Sequence, residues 1–281
     1  MRFLRFIVPA VFILVCAAAL FFNLKVKPDA TAPLLNCSVS EIEAPCSVSE
    51  AELLKYVSAS DEKDGDLSSE VFVESISQFI EEGVSVVSFC VSDSDGNIAK
   101  KSVRLVYTDY EKPQLVLHDD LVFAKGSTMN LSNVASVTDK FDGDITDRLY
   151  TIVPAGEDDD SPVNILFKVT GSKGFTYQWN FKTVRLDTEK LGSPLYKIKL
   201  KNNCIFVSRN SGKIDCNALV EGVYENGRLI RGAQLVVDDS QVDTSRSGTY
   251  DVWFRFYTGK GKDRVLAATE RLIVVCEGGG K

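Results

Sequence analysis

Asp61-Glu62-Lys63-Asp64-Gly65-Asp66-Leu67-Ser68 returns as Asp139-Lys140-Phe141-Asp142-Gly143-Asp144-Ile145-Thr146, with its aspartates displaced by 78 positions, 61 to 139, 64 to 142 and 66 to 144. The shared pattern D-x-x-D-G-D-[LI]-[ST] marks an internal repeat. Proline-led starts flank it at Pro33-Leu34-Leu35, Pro113-Gln114-Leu115 and Pro194-Leu195-Tyr196; positions 33, 113 and 194 lie 80 and 81 residues apart. That period is the size of a small domain and too long for a solenoid repeat. The ends correspond as well: Val103-Arg104-Leu105 matches Val184-Arg185-Leu186, and Asp109-Tyr110-Glu111-Lys112 matches Asp187-Thr188-Glu189-Lys190. The last stretch lacks the acidic motif but closes on the comparable Glu270-Arg271-Leu272-Ile273-Val274-Val275.

Within each stretch the apolar period is two, the signature of half-buried strands. Val252, Phe254 and Phe256 alternate with Asp251, Trp253 and Arg255 before the turn Gly259-Lys260-Gly261. Residues 84–91 lead to Asp93-Ser94-Asp95-Gly96-Asn97, and 163–169 lead to Gly171-Ser172-Lys173-Gly174. Helical periodicity is confined to the N-terminus and a short stretch at 50–56. The expected fold class is therefore all-β: three tandem immunoglobulin-like antiparallel β-sandwiches over 33–109, 113–187 and 194–276, after one N-terminal transmembrane helix within 1–27.

Val57-Ser58-Ala59-Ser60-Asp61 with the DGDL that follows, the run Ser85-Val86-Val87-Ser88-Phe89-Cys90-Val91-Ser92-Asp93-Ser94-Asp95-Gly96-Asn97, then Asp109 and Pro113, together carry a likeness. The first stretch resembles, along nearly its whole length, the bacterial surface Ig-like domains first named from an insecticidal crystal protein. The second keeps DGDIT but has Gly171-Ser172-Lys173-Gly174 where that family has a D-x-x-G-N hairpin. The third keeps Gly248-Thr249-Tyr250 and the closing strands. The resemblance implies tandem extracytoplasmic sandwiches of bacterial envelope proteins, serving as spacers, adhesive surfaces or accessory binding domains without catalysis of their own.

Arg2 and Arg5 precede a charge-free apolar run at 6–24, FIVPAVFILVCAAALFFNL. At about 1.5 Å per residue it spans roughly 28 Å, close to a bilayer core. The competing reading is a cleaved signal peptide ending near Ala17-Ala18-Ala19. Leu20, Phe21 and Phe22 extend the run past that site and favour an uncleaved anchor. A single-pass membrane protein with its C-terminal domains outside is expected, with secretion as the alternative. The tail Cys276-Glu277-Gly278-Gly279-Gly280-Lys281 carries no sortase-like signal, so a free end is expected. The formal charge is −7; without Arg2, Arg5, Lys25 and Lys27 the remainder holds 28 basic against 39 acidic residues. Such a surface disfavours nucleic acid as a partner.

The one histidine, His118, leaves little room for Ser/His/Asp or Cys/His catalysis, and no catalytic residue is nominated. Six cysteines follow the anchor. Cys37 with Cys46 and Cys204 with Cys216 are candidates for local disulfides, and Cys90 and Cys276 for free core thiols. Aspartates at i, i+3 and i+5 around glycine offer oxygens to calcium: Asp61, Asp64 and Asp66, then Asp139, Asp142 and Asp144, joined by the junction acids Asp109, Glu111, Asp187 and Glu189. The same residues equally suit turn chemistry, with carboxylates capping backbone N–H groups. Glu157-Asp158-Asp159-Asp160 reads as a solvated loop tip. Trp179 and Trp253, with Phe175, Tyr177 and Tyr250, are candidates for an aromatic sugar platform. The functional expectation is adhesion, binding or scaffolding toward a protein or glycan at the cell surface. A calcium-stiffened stalk and a carbohydrate-binding accessory module are the alternatives.

Overall fold

The computed structural model describes residues 12–16, 30–154 and 161–277. Residues 12–16 are helical, and the rest of the expected membrane segment lies outside the described residues, as does the acidic run at 157–160. Among the described residues no helix is long and apolar enough to cross a membrane. The chain divides into two units, Met1–Tyr110 and Glu111–Lys281.

In the first unit, β1 (Leu34–Cys37), β3 (Val57–Asp61) and β4 (Gly65–Asp66) form one antiparallel sheet. The other sheet runs β2 (Glu41–Ala44), β7 (Ile98–Tyr107), β6 (Val84–Ser92), β5 (Phe72–Ile76), with β2 parallel to β7. The inward residues Leu35, Ile42, Val87, Phe89, Val91 and Leu105 are buried, as the two-residue period requires. The helical stretch expected near 50–56 is a turn at Glu50–Leu53 continued by a 3-10 turn at Leu54–Tyr56. It starts at a capping box: Ser49 Oγ accepts the Glu52 N–H, and Glu52 Oε2 accepts the Ser49 N–H.

The second unit opens with the same connectivity. One sheet joins β8 (Gln114–Leu117), β10 (Ala135–Asp139) and β11 (Gly143–Asp144). β9 (Val122–Ala124) pairs in parallel with β15 (Val184–Leu186), while β12 (Tyr150–Ile152), β13 (Asn164–Thr170) and β14 (Thr176–Lys182) form a meander. β14 and β15 take the place of the continuous β7. They are divided at Thr183, whose buried hydroxyl accepts the Val163 N–H at 2.9 Å.

The order then recurs once more. β16 (Tyr196–Leu200), β18 (Val220–Glu225) and β19 (Arg228–Leu229) form a sheet. The partner sheet is β17 (Cys204–Ser208), β22 (Val265–Glu277), β21 (Gly248–Thr258), β20 (Leu235–Asp238), with β17 parallel to β22. Among the described residues, two apolar cores lie in this unit. One gathers Leu117, Leu121, Ile145, Ile165, Phe167 and Phe181 together with Cys204 and Ile273 from the last third of the chain; the other gathers Ile198, Val223, Val252, Phe254 and Leu272.

The repeated acidic motif builds the β3–β4 and β10–β11 hairpins. Asp61 pairs with Gly65 and Asp139 with Gly143, and these glycines sit at φ +76° and +70°, a left-handed conformation that a side chain disfavours. The hydroxyl ending the motif ties the hairpin back: Ser68 Oγ accepts the Ala59 N–H and Thr146 Oγ1 accepts the Val137 N–H. The third repetition makes its hairpin differently, with Asn226 and Gly227 at φ +47° and +78° between the paired Glu225 and Arg228. That two-residue Asn-Gly turn needs no carboxylate, which explains how the acidic motif could be lost there.

The cysteine expectation is corrected. Among the described residues there is no disulfide. Cys204 lies in one core of the second unit and Cys216 in the other, so a local bridge between them does not form. Cys37 ends β1 of one sheet, and Cys46 follows β2 of the other. Cys90 and Cys276 are buried thiols.

Candidate functional site

The motif carboxylates face their own turns. Asp61 Oδ1 accepts the N–H groups of Lys63 and Asp64, and Asp139 Oδ1 those of Phe141 and Asp142. Asp66 Oδ1 accepts from the Ser68 N–H, and Asp144 Oδ1 from the Thr146 N–H and hydroxyl. The middle aspartates reach further. Asp64 accepts the Ser94 N–H at 2.9 Å and its hydroxyl at 2.8 Å; Asp142 Oδ2 accepts the Ser172 N–H at 2.6 Å and Arg148 Nη1 at 3.0 Å. Ser94 and Ser172 occupy the β6–β7 and β13–β14 hairpins, so each middle aspartate fastens one hairpin to another. Burial raises the Asp142 pKa, but the Ser172 donors and Arg148 outweigh it and hold the carboxyl below its ordinary range.

The junction acids are placed apart from these. Asp109 Oδ1 accepts the Cys46 N–H at 2.7 Å. Asp187 pairs with Lys125 at 2.9 Å and Lys190 at 3.2 Å, while Glu189 stands in the helical turn Thr188–Leu191. Glu111 opens the second unit. Among the described residues no three His, Cys, Asp or Glu side chains gather as a metal site. His118 is exposed, with Nε2 2.9 Å from Ser136 Oγ.

The aromatic candidates do not form one platform. Tyr177 and Trp179 pack against the first core of the second unit, and Tyr250 against the other. Phe175 packs against Tyr177 with the rings tilted by 46° and their centroids 5.7 Å apart. Trp253 lies on the face of β21 opposite the buried Val252 and Phe254, in register with Asp238 and Arg271.

A cleft of about 560 Å³ in the second unit, lined largely by polar residues, is a candidate ligand site. Asn164 of β13, Asn180 and Lys182 of β14, Thr249 and Asp251 of β21 and Arg271 of β22 line it. Arg271 is fixed in advance: Nε and Nη2 reach Asp251 Oδ1 at 2.8 and 2.6 Å, and Nη1 donates to the Lys182 carbonyl at 2.9 Å. The Arg271 side chain is 3% exposed and that of Asp251 34%, so the guanidinium holds a carboxylate that solvent and solutes can reach. The same lining includes two carboxamides, a hydroxyl and an ammonium, groups that can donate and accept hydrogen bonds. Neither histidine nor cysteine is among the described residues that line the cleft.

Sequence reasoning nominated none of these six residues for a site. The available signal was Glu270-Arg271 at the head of the apolar run Leu272-Ile273-Val274-Val275, because buried charges in a strand require partners. Those partners, Asp251 and the Lys182 carbonyl, are distant in the chain.

No family model matches the chain, and no curated protein matches it. Among solved structures it is similar to the M60 catalytic domain with the CBM51-1 and CBM51-2 domains of Clostridium perfringens ZmpB, at 11% identity and TM-score 0.26, over 88% of this chain and 43% of that one. It is also similar to protocadherin gamma B2 extracellular cadherin domains 1–5, at 10% identity and TM-score 0.20, over 89% of this chain and 61% of that one. A third similarity is to mouse cadherin-23 EC22–24, at 12% identity and TM-score 0.20, over 88% of this chain and 99% of that one. The chain thus spans less than two thirds of the length of the first two.

Proposed function

We propose that this chain is a non-catalytic binding protein of the cell envelope, held in the membrane by its apolar N-terminal run and displaying three immunoglobulin-like sandwiches outside it. The strand order that recurs over 34–107, 114–186 and 196–277 supports the modular reading. The resemblance to bacterial surface Ig-like domains supports the extracytoplasmic one. The ligand we assign to the polar cleft is rich in hydroxyl groups, of saccharide type. The carrying observation is Asp251, oriented by a buried Arg271 in a cleft that Asn164, Asn180 and Thr249 also line. Carboxylate and carboxamide groups can together accept from and donate to neighbouring hydroxyls on a sugar ring. The cleft also falls within the roughly 300–1,000 Å³ usual for small-ligand sites.

The test is a glycan array probed with the full chain in a detergent that carries no sugar headgroup, followed by titration calorimetry on any saccharide retained. Binding should weaken at least about tenfold in Asp251→Ala and Asn180→Ala, a loss of about 1.4 kcal/mol, while both variants keep a folded circular dichroism spectrum. Equal binding by wild type and variants, or no saccharide retained, would remove the cleft from the proposal.

A further inference from the structure

The cleft is opposite in sign to the chain that forms it. Among the described residues its lining holds Lys182, Arg185 and Arg271 against one acidic side chain, Asp251, in a chain whose formal charge is −7. Arg271 and Asp251 neutralise each other. Lys182 and Arg185 remain, and among the described residues no acidic side chain pairs with either. A concave wall of one charge gathers solutes of the other.

The two remaining cations sit differently. Lys182 is exposed on β14, directly opposite the exposed Asn164 of β13, with the exposed Asn180 two residues along the same face. Side chains so placed stand about 5 Å apart across the strands and roughly 7 Å apart along one. An ammonium and two carboxamides therefore share one patch. Arg271 takes the main-chain carbonyl of Lys182, not its side chain, so the buried ion pair makes no use of the ammonium. Arg185 is buried, 8% exposed. Its Nη1 donates to the Ala124 carbonyl at 3.0 Å and the Ser127 carbonyl at 2.7 Å, and its guanidinium carbon lies 5.4 Å from the centre of the Phe123 ring. Nε is buried with no hydrogen-bond partner among the described residues. Two carbonyls and a ring face offset part of the charge, but a buried charge is costly without a counter-ion.

We infer that the ligand of this cleft is an acidic saccharide, whose carboxylate or sulfate group goes to the Lys182 and Arg185 side and whose ring hydroxyls go to Asn164, Asn180 and Asp251. This rests on the saccharide reading of the cleft and narrows it. A neutral sugar would satisfy the carboxamides and leave both cations uncompensated; an anionic group supplies the missing counter-charge. Lys182, which solvent reaches, makes the direct contact. Arg185, enclosed by protein, contributes through its charge, because attraction is less screened away from water.

Titration calorimetry on the full chain, in a detergent without a sugar headgroup, tests this with two matched pairs: an oligogalacturonate against its methyl ester, and a sulfated dextran oligosaccharide against the unsulfated one. The acidic member of at least one pair should bind about tenfold or more tighter than its neutral partner, as expected for hydrogen bonds to a charged group. That ratio should narrow as salt rises from about 0.05 to about 0.5 M. Preference within the first pair identifies the group as carboxylate and within the second as sulfate, and either supports the assignment. Lys182→Gln should cut the ratio at least about fivefold, and Arg185→Gln should lower it as well; if the latter fails to fold, Lys182→Gln alone decides. Asn180→Ala should instead weaken both members of a pair alike. Equal binding of acidic and neutral partners, or a ratio unchanged in Lys182→Gln, would overturn the acidic assignment, while the loss in Asn180→Ala would leave the saccharide reading standing. Binding of none of the four oligosaccharides would overturn both.

Discussion

Asp142 shows how much one carboxylate does in this fold. It holds the Ser172 N–H of one hairpin and Arg148 beyond its own, as Asp64 holds Ser94 in the first unit. Ser94 and Ser172 are separated by the same 78 positions as the motif itself. We predict that Asp142→Ala costs about 1.5–3 kcal/mol in a denaturant titration, the range for hydrogen bonds to a charged group, with far-UV circular dichroism unchanged. Millimolar calcium should leave the unfolding midpoint of the wild type where it was, since an ion would have to displace these N–H donors; a calcium-dependent rise that vanishes in Asp64→Asn would contradict this. The turn geometry was legible in the spacing of aspartate and glycine. The serine partners, 30 residues away, were not, because hydrogen bonds of that kind leave no local pattern.

At the scale of elements, the alternation of apolar residues located the long strands, and Val252, Phe254 and Phe256 face the core with Trp253 opposite. What the alternation did not disclose is the break between β14 and β15. There Thr183, fully buried, accepts the Val163 N–H at its hydroxyl and returns its own N–H to the Val163 carbonyl. Replacing the hydroxyl by a methyl group keeps the shape and leaves a buried donor unpaired. Thr183→Val should therefore lower stability by about 1–3 kcal/mol, read from the chemical-denaturation midpoint at constant slope. The short parallel pairs were equally hidden, since β2 and β9 are too brief to show a period and their partners lie at the far end of each repeat. The cleft was hidden for the same reason, since its lining comes from β13 and β14 on one side of the sequence and β21 and β22 on the other.

For the whole molecule, two opposed proton effects set the pH at which it is most stable. Asp66, Asp93, Asp144, Asp187, Asp238 and Asp243 have lowered pKa values, chiefly through hydrogen bonds from neighbouring donors; at Asp93 burial opposes them and loses. Their stabilisation is present above the ordinary carboxylate range and is lost as pH falls through the depressed values. Glu270 and Asp120, whose pKa values are raised chiefly by burial and then by a neighbouring aspartate, act in the other direction, losing theirs as pH rises toward and past about 7. Calorimetry of the full chain between pH 3 and pH 9 should show a midpoint that peaks in mild acid. In Glu270→Gln the decline on the alkaline side should flatten while the acid side stays as it was. The membrane proposal belongs to this scale too. Full chain expressed in a bacterial host should remain with the membrane pellet after washing at high pH, and recovery in the wash would contradict an uncleaved anchor.

The parallel pairing that recurs in each repetition has a mechanical consequence. β2 lies beside β7, β9 beside β15 and β17 beside β22, each pair joining an early strand to the last one. When the two ends of such a pair are drawn apart, the strands slide past one another, and their hydrogen bonds bear the load together in shear instead of opening one at a time like a zipper. The overlap covers four residues of β2, three of β9 and five of β17, so the shortest clamp is the middle one. A tether under tension would thus meet a series of brakes of unequal strength.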